Sequence, residues 1–315
     1  MRIGLVAISL VGCASLLFTG CGSDSQISLG TGGNGGNSTS SSSGTGSSSG
    51  DMTGSSSSSG GNSSSTSSSS GGPTEKFSFF VTSLKALQEL SGNPEGFGGD
   101  LRFGETGPGA GLRGADKICA AIAEKSMPGA GQKPWRAFLS AVADENGQQV
   151  NAKDRIGEGP WYDRLGRLLA ANKTDLLTER PTGADPAIIN DFPNEDGVPN
   201  HQPDPNQGQV DNHDMLTGSN AQGMLFGPTA TCLDWTGGAG DLATEGRPRV
   251  GHSWPRFGPK PPGGDGSMAN WMSSLNESGC APGVNLIEMG PPIPGEVTVG
   301  SGGGYGGFYC FSLVP

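Results

Sequence analysis

The chain has few basic residues, no closely spaced cysteine pair and no long apolar run, which argues against several large classes of protein. Basic residues number 19 against 30 acidic ones, for a net charge of −11, and this balance argues against nucleic acid or polyanionic glycans as partners. No C-x-x-C pair is present, which argues against a zinc knuckle or a thioredoxin-type redox centre. The longest apolar stretch, residues 3–18, is too short and too early in the chain for a transmembrane anchor. No internal repeat appears.

Residues 1–20 predict an export signal. Arg2 supplies the positive charge, the apolar stretch follows, and small residues lead into Cys21 in "LLFTGCGS". This ending resembles the lipobox of bacterial lipoproteins, whose cysteine becomes lipid-modified and N-terminal after cleavage. Cys13 is a rival match, but more apolar sequence follows it. An ordinary secretory signal is the alternative interpretation.

Residues 21–74 predict a lipidated cysteine followed by a disordered tether. Beyond Cys21 this stretch is almost entirely Gly, Ser, Asn and Thr, so it cannot bury a core. A coil of this length has a root-mean-square span of about 40 Å. Placed after a lipid anchor, it would hold a folded domain off the outer membrane, at the cell surface or on the periplasmic face.

The remaining residues, 75–315, are long enough for one substantial domain. They contain four cysteines, and an exported protein meets an oxidising environment, so two disulfides are expected. Sequence spacing alone does not choose among the three pairings of Cys119, Cys232, Cys280 and Cys310.

The hydrophobic pattern of this part predicts strands and helices in alternation. An aromatic and β-branched run at 76–84 predicts a strand. Apolar residues at i, i+3, i+4 and i+7 from Ala115 predict a helix that buries Cys119 and stops before Pro128. Residues 135–142 predict a second strand.

A second helix is predicted to open at Pro160 and to continue through "WYDRLGRLLAANK", with Trp161, Leu165, Leu168 and Leu169 on one apolar face. Residues 190–214 contain almost no apolar side chains and predict a surface loop. Short strands are predicted after it, in "GMLFG", "TCLDWTG", "RVGHSW", "NWMSSL" and "GGFYCFSLV". The chain is therefore expected to form an α+β domain.

Several segments together resemble exported bacterial domains of the C-type-lectin-like and endostatin-like fold. The residues that carry the resemblance are "FFVTS", "GLRGADKICAAIAEK", "WRAFLSA", "CLDWTGG", "GRPRVGHSW", "NWMSSLNESGC" and "GGFYCFS", which span about 77–313. The resemblance implies two helices, short antiparallel strands and long loops. It also implies two nested disulfides, Cys119–Cys310 and Cys232–Cys280.

The resemblance implies a binding or adhesion module without catalysis, anchored to a membrane by its lipid and expected to be monomeric. A glycan or a protein is the expected ligand. Heparin binding in endostatin depends on an arginine-rich face, which this acidic chain does not supply. A purely structural envelope lipoprotein is one alternative.

A secreted serine hydrolase is the other alternative, because "GHSW" gives four-fifths of the G-x-S-x-G pattern around Ser253. A nucleophile elbow needs a second glycine, but Pro255 occupies that position. No histidine follows His252 to complete a triad. The residues therefore favour a strand end and turn.

The acidic loop at 190–214 is the candidate metal site of the sequence. Carboxylates at this density suit Ca²⁺, although EF-hand spacing fails and "QPD" at 202–204 lacks the downstream Trp-Asn-Asp of galactose-type lectins. His201 and His213 are weaker candidates for a transition metal, and a solvated polar loop is the alternative. The candidate Ca²⁺ ligands are Asp191, Glu195, Asp196, Asp204, Asp211 and Asp214.

The five tryptophans are a candidate sugar-stacking platform, but they fall mostly in apolar segments. Core packing is therefore the favoured role for Trp135, Trp161, Trp235, Trp254 and Trp271.

Overall fold

A computed structural model describes residues 76–201, 210–255, 269–286 and 295–315. The predicted signal peptide, the predicted lipidation site Cys21 and the tether lie outside these residues. No helix within the described ranges has the length and apolar character needed to cross a membrane.

The described elements are mostly short. The helices are α1 (Leu84–Ser91), α2 (Ala110–Ser126), α3 (Ala152–Arg155), α4 (Lys173–Leu176) and α5 (Cys232–Trp235), with a 3-10 turn at Ala130–Gln132. The strands are β1 (Phe79–Val81), β2 (Trp135–Ala137), β3 (Trp161–Tyr162), β4 (Leu168–Ala170), β5 (Asp214–Leu216), β6 (Arg249–His252), β7 (Leu275–Asn276) and β8 (Gly304–Ser312). The expected α+β class, with few helices and short strands, is confirmed.

The main sheet is organised around β8, the longest strand. Its order is β1-β8-β5-β6-β7, and β2 also pairs with β8. All nine residues of β8 are buried, which agrees with a central strand that has neighbours on both edges. The β5–β8 pair is parallel, whereas the other strand pairs are antiparallel, as the resemblance implied. β3 and β4 form a separate two-stranded sheet.

Aromatic side chains from distant segments fill the core beside β8. Trp271 packs edge-on against Tyr309 with ring centroids 5.2 Å apart, and Phe79 lies 4.9 Å from Phe311. Four of the five tryptophans are at most 2% exposed and Trp254 is 6% exposed. The prediction that the tryptophans pack in the core is confirmed for those four, whereas Trp254 packs against two histidine rings.

Two disulfides tie the helices to the sheet and loops. Cys119 in α2 joins Cys310 in β8, and Cys232 in α5 joins Cys280. These are the pairs that the family resemblance implied. The second pair lies inside the loop closed by the first, so the two disulfides are nested.

The helix predicted from Pro160 is wrong, because these residues form the β3–β4 hairpin. Asp163 caps the turn: its Oδ1 accepts hydrogen bonds from the backbone N–H groups of Leu165 and Arg167. Gly166 has a φ of +76°, which suits a tight turn and not a helix. Leu165, assigned to the apolar face, is 63% exposed.

The predicted strand "TCLDWTG" is also wrong, because it forms the short helical turn α5. Its residues from Cys232 to Trp235 all have positive φ, a conformation that non-glycine residues rarely adopt. The Cys232–Cys280 disulfide and the hydrogen bond from Trp235 Nε1 to the Ser140 carbonyl fix this turn. In contrast, β6 and β8 confirm the predicted strands "RVGHSW" and "GGFYCFSLV", and β7 begins only at Leu275.

The segment 190–214 is not the wholly solvated loop that its composition predicts. Its backbone is joined to the core, since the Val81 N–H donates to the Pro193 carbonyl and the Phe192 N–H donates to the Ser253 carbonyl. Residues 210–214 are buried, and Asp214 begins β5. Several of its polar side chains are therefore inside the protein.

Candidate functional site

Five ionisable side chains meet in the interior where β5, β6 and the start of β8 adjoin. We call this group the His–carboxylate cluster, and each member is at most 1% exposed. Ionisable groups are rarely this buried unless they are paired or bind a metal. The members are Asp211, His213, Asp214, His252 and Glu277.

Strand register brings Asp214 and His252 together. Asp214 lies directly opposite His252 in the antiparallel β5–β6 pair and opposite Gly304 in the parallel β5–β8 pair. Cross-strand partners have neighbouring side chains on one face of a sheet. Glu277 follows β7 near Arg249, at the end of β6 opposite to His252, so register does not bring it to Asp214. Its carboxyl group is instead held near Asp214 by Ser301 and Gly302.

Nitrogen and oxygen atoms of the cluster converge on Asp214. His252 Nε2 lies 3.0 Å and His213 Nε2 lies 3.5 Å from Asp214 Oδ1. His213 Nδ1 contacts Asp211 Oδ1 on the other side of the same ring. One ligand atom from each of His213, Asp214 and His252 lies within 4.8 Å of the others.

Backbone hydrogen bonds hold the segments that carry these side chains. The Ser253 N–H donates to the His213 carbonyl at 2.8 Å, and the His252 N–H donates to the Asn270 carbonyl at 3.1 Å. Arg180 Nη1 donates to the His252 carbonyl at 2.9 Å. The positions of both imidazoles are therefore set by the sheet and its flanking segments.

A buried amide network supports the same region. Asn200 Nδ2 donates to Ser253 Oγ and to the Asn212 carbonyl, both at 2.9 Å. Trp254 Nε1 donates to Asn212 Oδ1 at 2.9 Å, and the His201 ring stacks on Trp254 at 3.7 Å. The hydroxyl of Ser253, the candidate nucleophile, is thus engaged by this network.

Two glycines allow the chain to approach the carboxylates closely. A Cβ atom at Gly302 would lie 2.8 Å from Asp214 Oδ2 and 3.1 Å from Glu277 Oε1. A Cβ atom at Gly303 would lie 2.5 Å from Asp211 Oδ2, and this residue has a φ of +112°. No other residue type fits either position without moving a carboxylate.

The carboxyl groups of Asp211 and Asp214 face the imidazoles of the cluster, and Glu277 lies beside Asp214. Both carboxylate oxygens of Asp211 and of Asp214, and Oε1 of Glu277, are buried and accept no hydrogen bond of ordinary geometry. The other oxygen of Glu277 is anchored, since Ser301 Oγ and the Gly302 N–H each donate to Oε2 at 2.8 Å. The two imidazoles are therefore the described nitrogen partners of the Asp211 and Asp214 carboxylates.

The pKa values of the two adjacent carboxyls move in opposite directions. Burial and the neighbouring Asp214 carboxylate hold the pKa of Glu277 well above its usual value. Burial also acts to raise the pKa of Asp214, but the two histidines outweigh it and lower that pKa below its usual value. Asp214 is therefore the carboxylate of this pair that carries the negative charge.

The predicted Ca²⁺ ligands have different surroundings. Glu195 accepts hydrogen bonds from Ser83 Oγ at 2.5 Å and from the Ser83 N–H at 3.0 Å, beside α1. Asp196 is exposed, and with Glu195 it borders a cavity of about 120 Å³ between α1 and α2. Asp191 Oδ1 accepts from the His201 N–H at 2.9 Å. Asp204 lies outside the described residues.

Of the predicted set, the structure brings together Asp211 and Asp214. His213, one of the two histidine candidates, joins them and is buried, whereas His201, the other, is exposed. Sequence reasoning missed His252 and Glu277. A histidine inside the predicted strand "RVGHSW" was the available signal for His252.

Comparison of the chain with protein-family models and with curated proteins finds no match to either.

Proposed function

We propose that this chain is an exported, membrane-tethered binding module with a C-type-lectin-like domain whose interior holds a divalent cation. The observation that carries the cation is the His–carboxylate cluster. Burying a carboxylate costs several kcal/mol unless it is paired or binds a metal. A divalent cation bound at Asp214 and the imidazoles would compensate the negative charge of these buried carboxylates.

The α+β architecture and the nested disulfides support the C-type-lectin-like assignment. Cys119–Cys310 ties the first long helix to the last strand, and β1 pairs with β8, so the two ends of the domain are adjacent. The quoted segments "FFVTS", "CLDWTGG" and "GGFYCFS" occur along the chain in the family's order.

Export and tethering are supported by the sequence of residues 1–74. We expect the full chain to partition with membranes because Cys21 is lipidated. Cys21→Ser is expected to move the protein into the aqueous fraction on detergent phase separation. Equal partitioning of the two proteins would contradict the anchor.

A binding role, in preference to catalysis, is supported by the state of Ser253. Its hydroxyl is buried, accepts from Asn200 and donates to the His213 carbonyl. A nucleophile needs a base within hydrogen-bond reach, whereas this hydroxyl serves the amide network. Loss of an esterase activity on Ser253→Ala would contradict the binding role.

Thermal unfolding tests whether a cation binds. To prepare metal-free protein, the full chain is unfolded in urea with its disulfides intact and any bound metal is removed with a chelator. The protein is then refolded with Ca²⁺, Mg²⁺, Mn²⁺ or Zn²⁺, and its thermal unfolding midpoint is measured. A ligand at 100 times its Kd stabilises the folded state by about 2.7 kcal/mol, so at least one cation should raise the unfolding midpoint.

Two aspartate-to-asparagine variants show whether the cation that raises the unfolding midpoint binds at the His–carboxylate cluster. Asp214→Asn is expected to abolish the rise in the midpoint, whereas Asp196→Asn, the same change at an exposed residue, should keep it. No rise with any cation would contradict the proposal and favour a structural envelope protein. A glycan array, read with and without chelator, separates a glycan ligand from a protein partner.

A further inference from the structure

We infer that the cation is a transition metal of the Zn²⁺ class, bound by Nε2 of His213, Nε2 of His252 and the carboxylate of Asp214. The inference rests on the proposed cation site and identifies its chemistry. It differs from the sequence prediction of Ca²⁺ bound by loop carboxylates alone.

Donor type is the first argument. Ca²⁺ and Mg²⁺ take oxygen ligands almost exclusively, whereas imidazole suits Zn²⁺, Fe²⁺, Cu²⁺ and Ni²⁺. The atoms that converge are two imidazole nitrogens and one carboxylate oxygen. A hard-cation site would have no use for two buried histidines at its centre.

Spacing is the second argument. Ligands about 2.0–2.1 Å from a tetrahedral Zn²⁺ lie about 3.3 Å from one another. The separations from Asp214 Oδ1 are 3.0 Å to His252 Nε2 and 3.5 Å to His213 Nε2. These two values bracket the tetrahedral edge. The third separation, between the two imidazole nitrogens, is within 4.8 Å, so the three atoms surround a space that a metal would occupy with the imidazoles drawn inward.

Asp211 acts as a positioning residue in this arrangement. Its carboxylate contacts Nδ1 of His213, which leaves Nε2 as the nitrogen that faces Asp214. Carboxylates commonly hold metal-binding histidines through the second ring nitrogen, which fixes the tautomer and the ring orientation. Gly303 permits this contact between Asp211 and His213. Because Gly303 has no side chain, the β8 entry segment (residues 301–303) can lie against the Asp211 carboxylate.

Glu277 completes the surroundings without belonging to the three-atom group. Its Oε2 is held by Ser301 and the Gly302 N–H, and both Glu277 and Asp214 face Gly302. We therefore place Glu277 beside the ligand Asp214. Glu277→Gln should weaken metal binding less than loss of a histidine does.

Metal titration of the stripped and refolded full chain is the direct test. We expect one Zn²⁺ per chain, bound at least 100-fold more tightly than Ca²⁺. X-ray absorption at the zinc edge of the wild-type protein should show two imidazole ligands and one carboxylate. Tight Ca²⁺ binding without Zn²⁺ binding, or zinc without imidazole ligands, would overturn the inference and leave the cation proposal intact. Binding of none of Zn²⁺, Ca²⁺, Mg²⁺ and Mn²⁺ would overturn both.

Variants separate ligands from neighbours. His252→Ala should lower the Zn²⁺ affinity at least 100-fold, and His201→Ala, at the exposed histidine that stacks on Trp254, should leave it unchanged. Asp211→Asn should lower the affinity about 10- to 100-fold while the absorption spectrum still shows two imidazoles. An unchanged affinity in His252→Ala contradicts the assignment. If that variant does not fold, the count of imidazoles in the wild-type protein decides.

Discussion

At the scale of single residues, the β8 entry segment approaches buried carboxylates so closely that two of its positions require glycine. Gly303 combines a φ of +112° with a would-be Cβ 2.5 Å from the Asp211 carboxylate. The amino acid at this position therefore determines both the backbone conformation and the position of the carboxylate behind His213.

We expect Gly303→Ala to lower the free energy of unfolding by about 1–3 kcal/mol through crowding of Asp211, in addition to its backbone cost. Urea unfolding measures the change. Gly147→Ala is the matched control, because Gly147 also has positive φ but no atom lies within 4 Å of its would-be Cβ. Equal losses in the two variants would show that the contact with Asp211 is unimportant.

Asp191 makes the stability of the folded domain depend on pH. Burial raises its pKa to about 6, although hydrogen bonds from the His201 and Asn200 backbone oppose the shift. Between the unfolded pKa near 4 and the folded pKa the folded state binds more protons, so its stability falls as the pH rises through this range.

Asp191→Asn should remove this fall, which is at most about 3 kcal/mol. Urea unfolding of both proteins between about pH 4 and about pH 7 measures it. Asp196→Asn, at an exposed carboxylate, should keep the wild-type dependence. A parallel pH dependence in Asp191→Asn and the wild type would show that Asp191 titrates normally.

At the scale of elements, the residues of the β3–β4 hairpin fit both the apolar spacing of a helix and the apolar spacing of a strand. Trp161 and Leu169 are buried in the hairpin, as the helical pattern also required. The two structures differ at Leu165, which a helix would bury and the hairpin leaves 63% exposed. The turn chemistry of Asp163 and Gly166 decided in favour of the hairpin.

We expect Leu169→Ala to lower the free energy of unfolding by about 2–5 kcal/mol, as for other buried leucines. Leu165→Ala should change it by no more than about 0.5 kcal/mol, because exposed substitutions are usually tolerated. Chemical denaturation of the two variants provides the comparison. Similar losses at both leucines would restore the helical interpretation.

At the scale of the whole molecule, two nested disulfides close long segments of a domain with few regular elements. Their sequence separations are 191 residues for Cys119–Cys310 and 48 residues for Cys232–Cys280. Each restricts the unfolded chain, and the longer closure restricts it more. The outer disulfide also links α2 to the central strand that borders the cluster.

Replacing Cys119 and Cys310 together by alanine should lower the free energy of unfolding by up to about 5 kcal/mol, and replacing Cys232 and Cys280 by up to about 4 kcal/mol. Urea unfolding under non-reducing conditions measures both losses. Peptide mapping of the non-reduced wild-type protein is the control for the pairing. No loss from either double substitution would mean that the disulfides do not stabilise the domain.

The sequence by itself determined the features that depend on neighbouring residues. The apolar spacing around Ile118 and Cys119 predicted α2, and the aromatic run before Ser312 predicted β8, because each pattern lies within one element. The core role of the tryptophans followed from their apolar segments. Export, lipidation and the tether, read from residues 1–74, stay predictions of the same local kind.

Only the tertiary structure decided the His–carboxylate cluster. Asp214, His252 and Glu277 are far apart in the chain. The β5–β6 register pairs Asp214 with His252, and Ser301 and Gly302, just before β8, hold the Glu277 carboxyl group near Asp214. Composition predicted a solvated loop at 190–214, since it cannot show which polar residues the sheet will cover. Strand pairing between distant segments, and the burial that it causes, turned part of an acidic loop into a candidate metal centre.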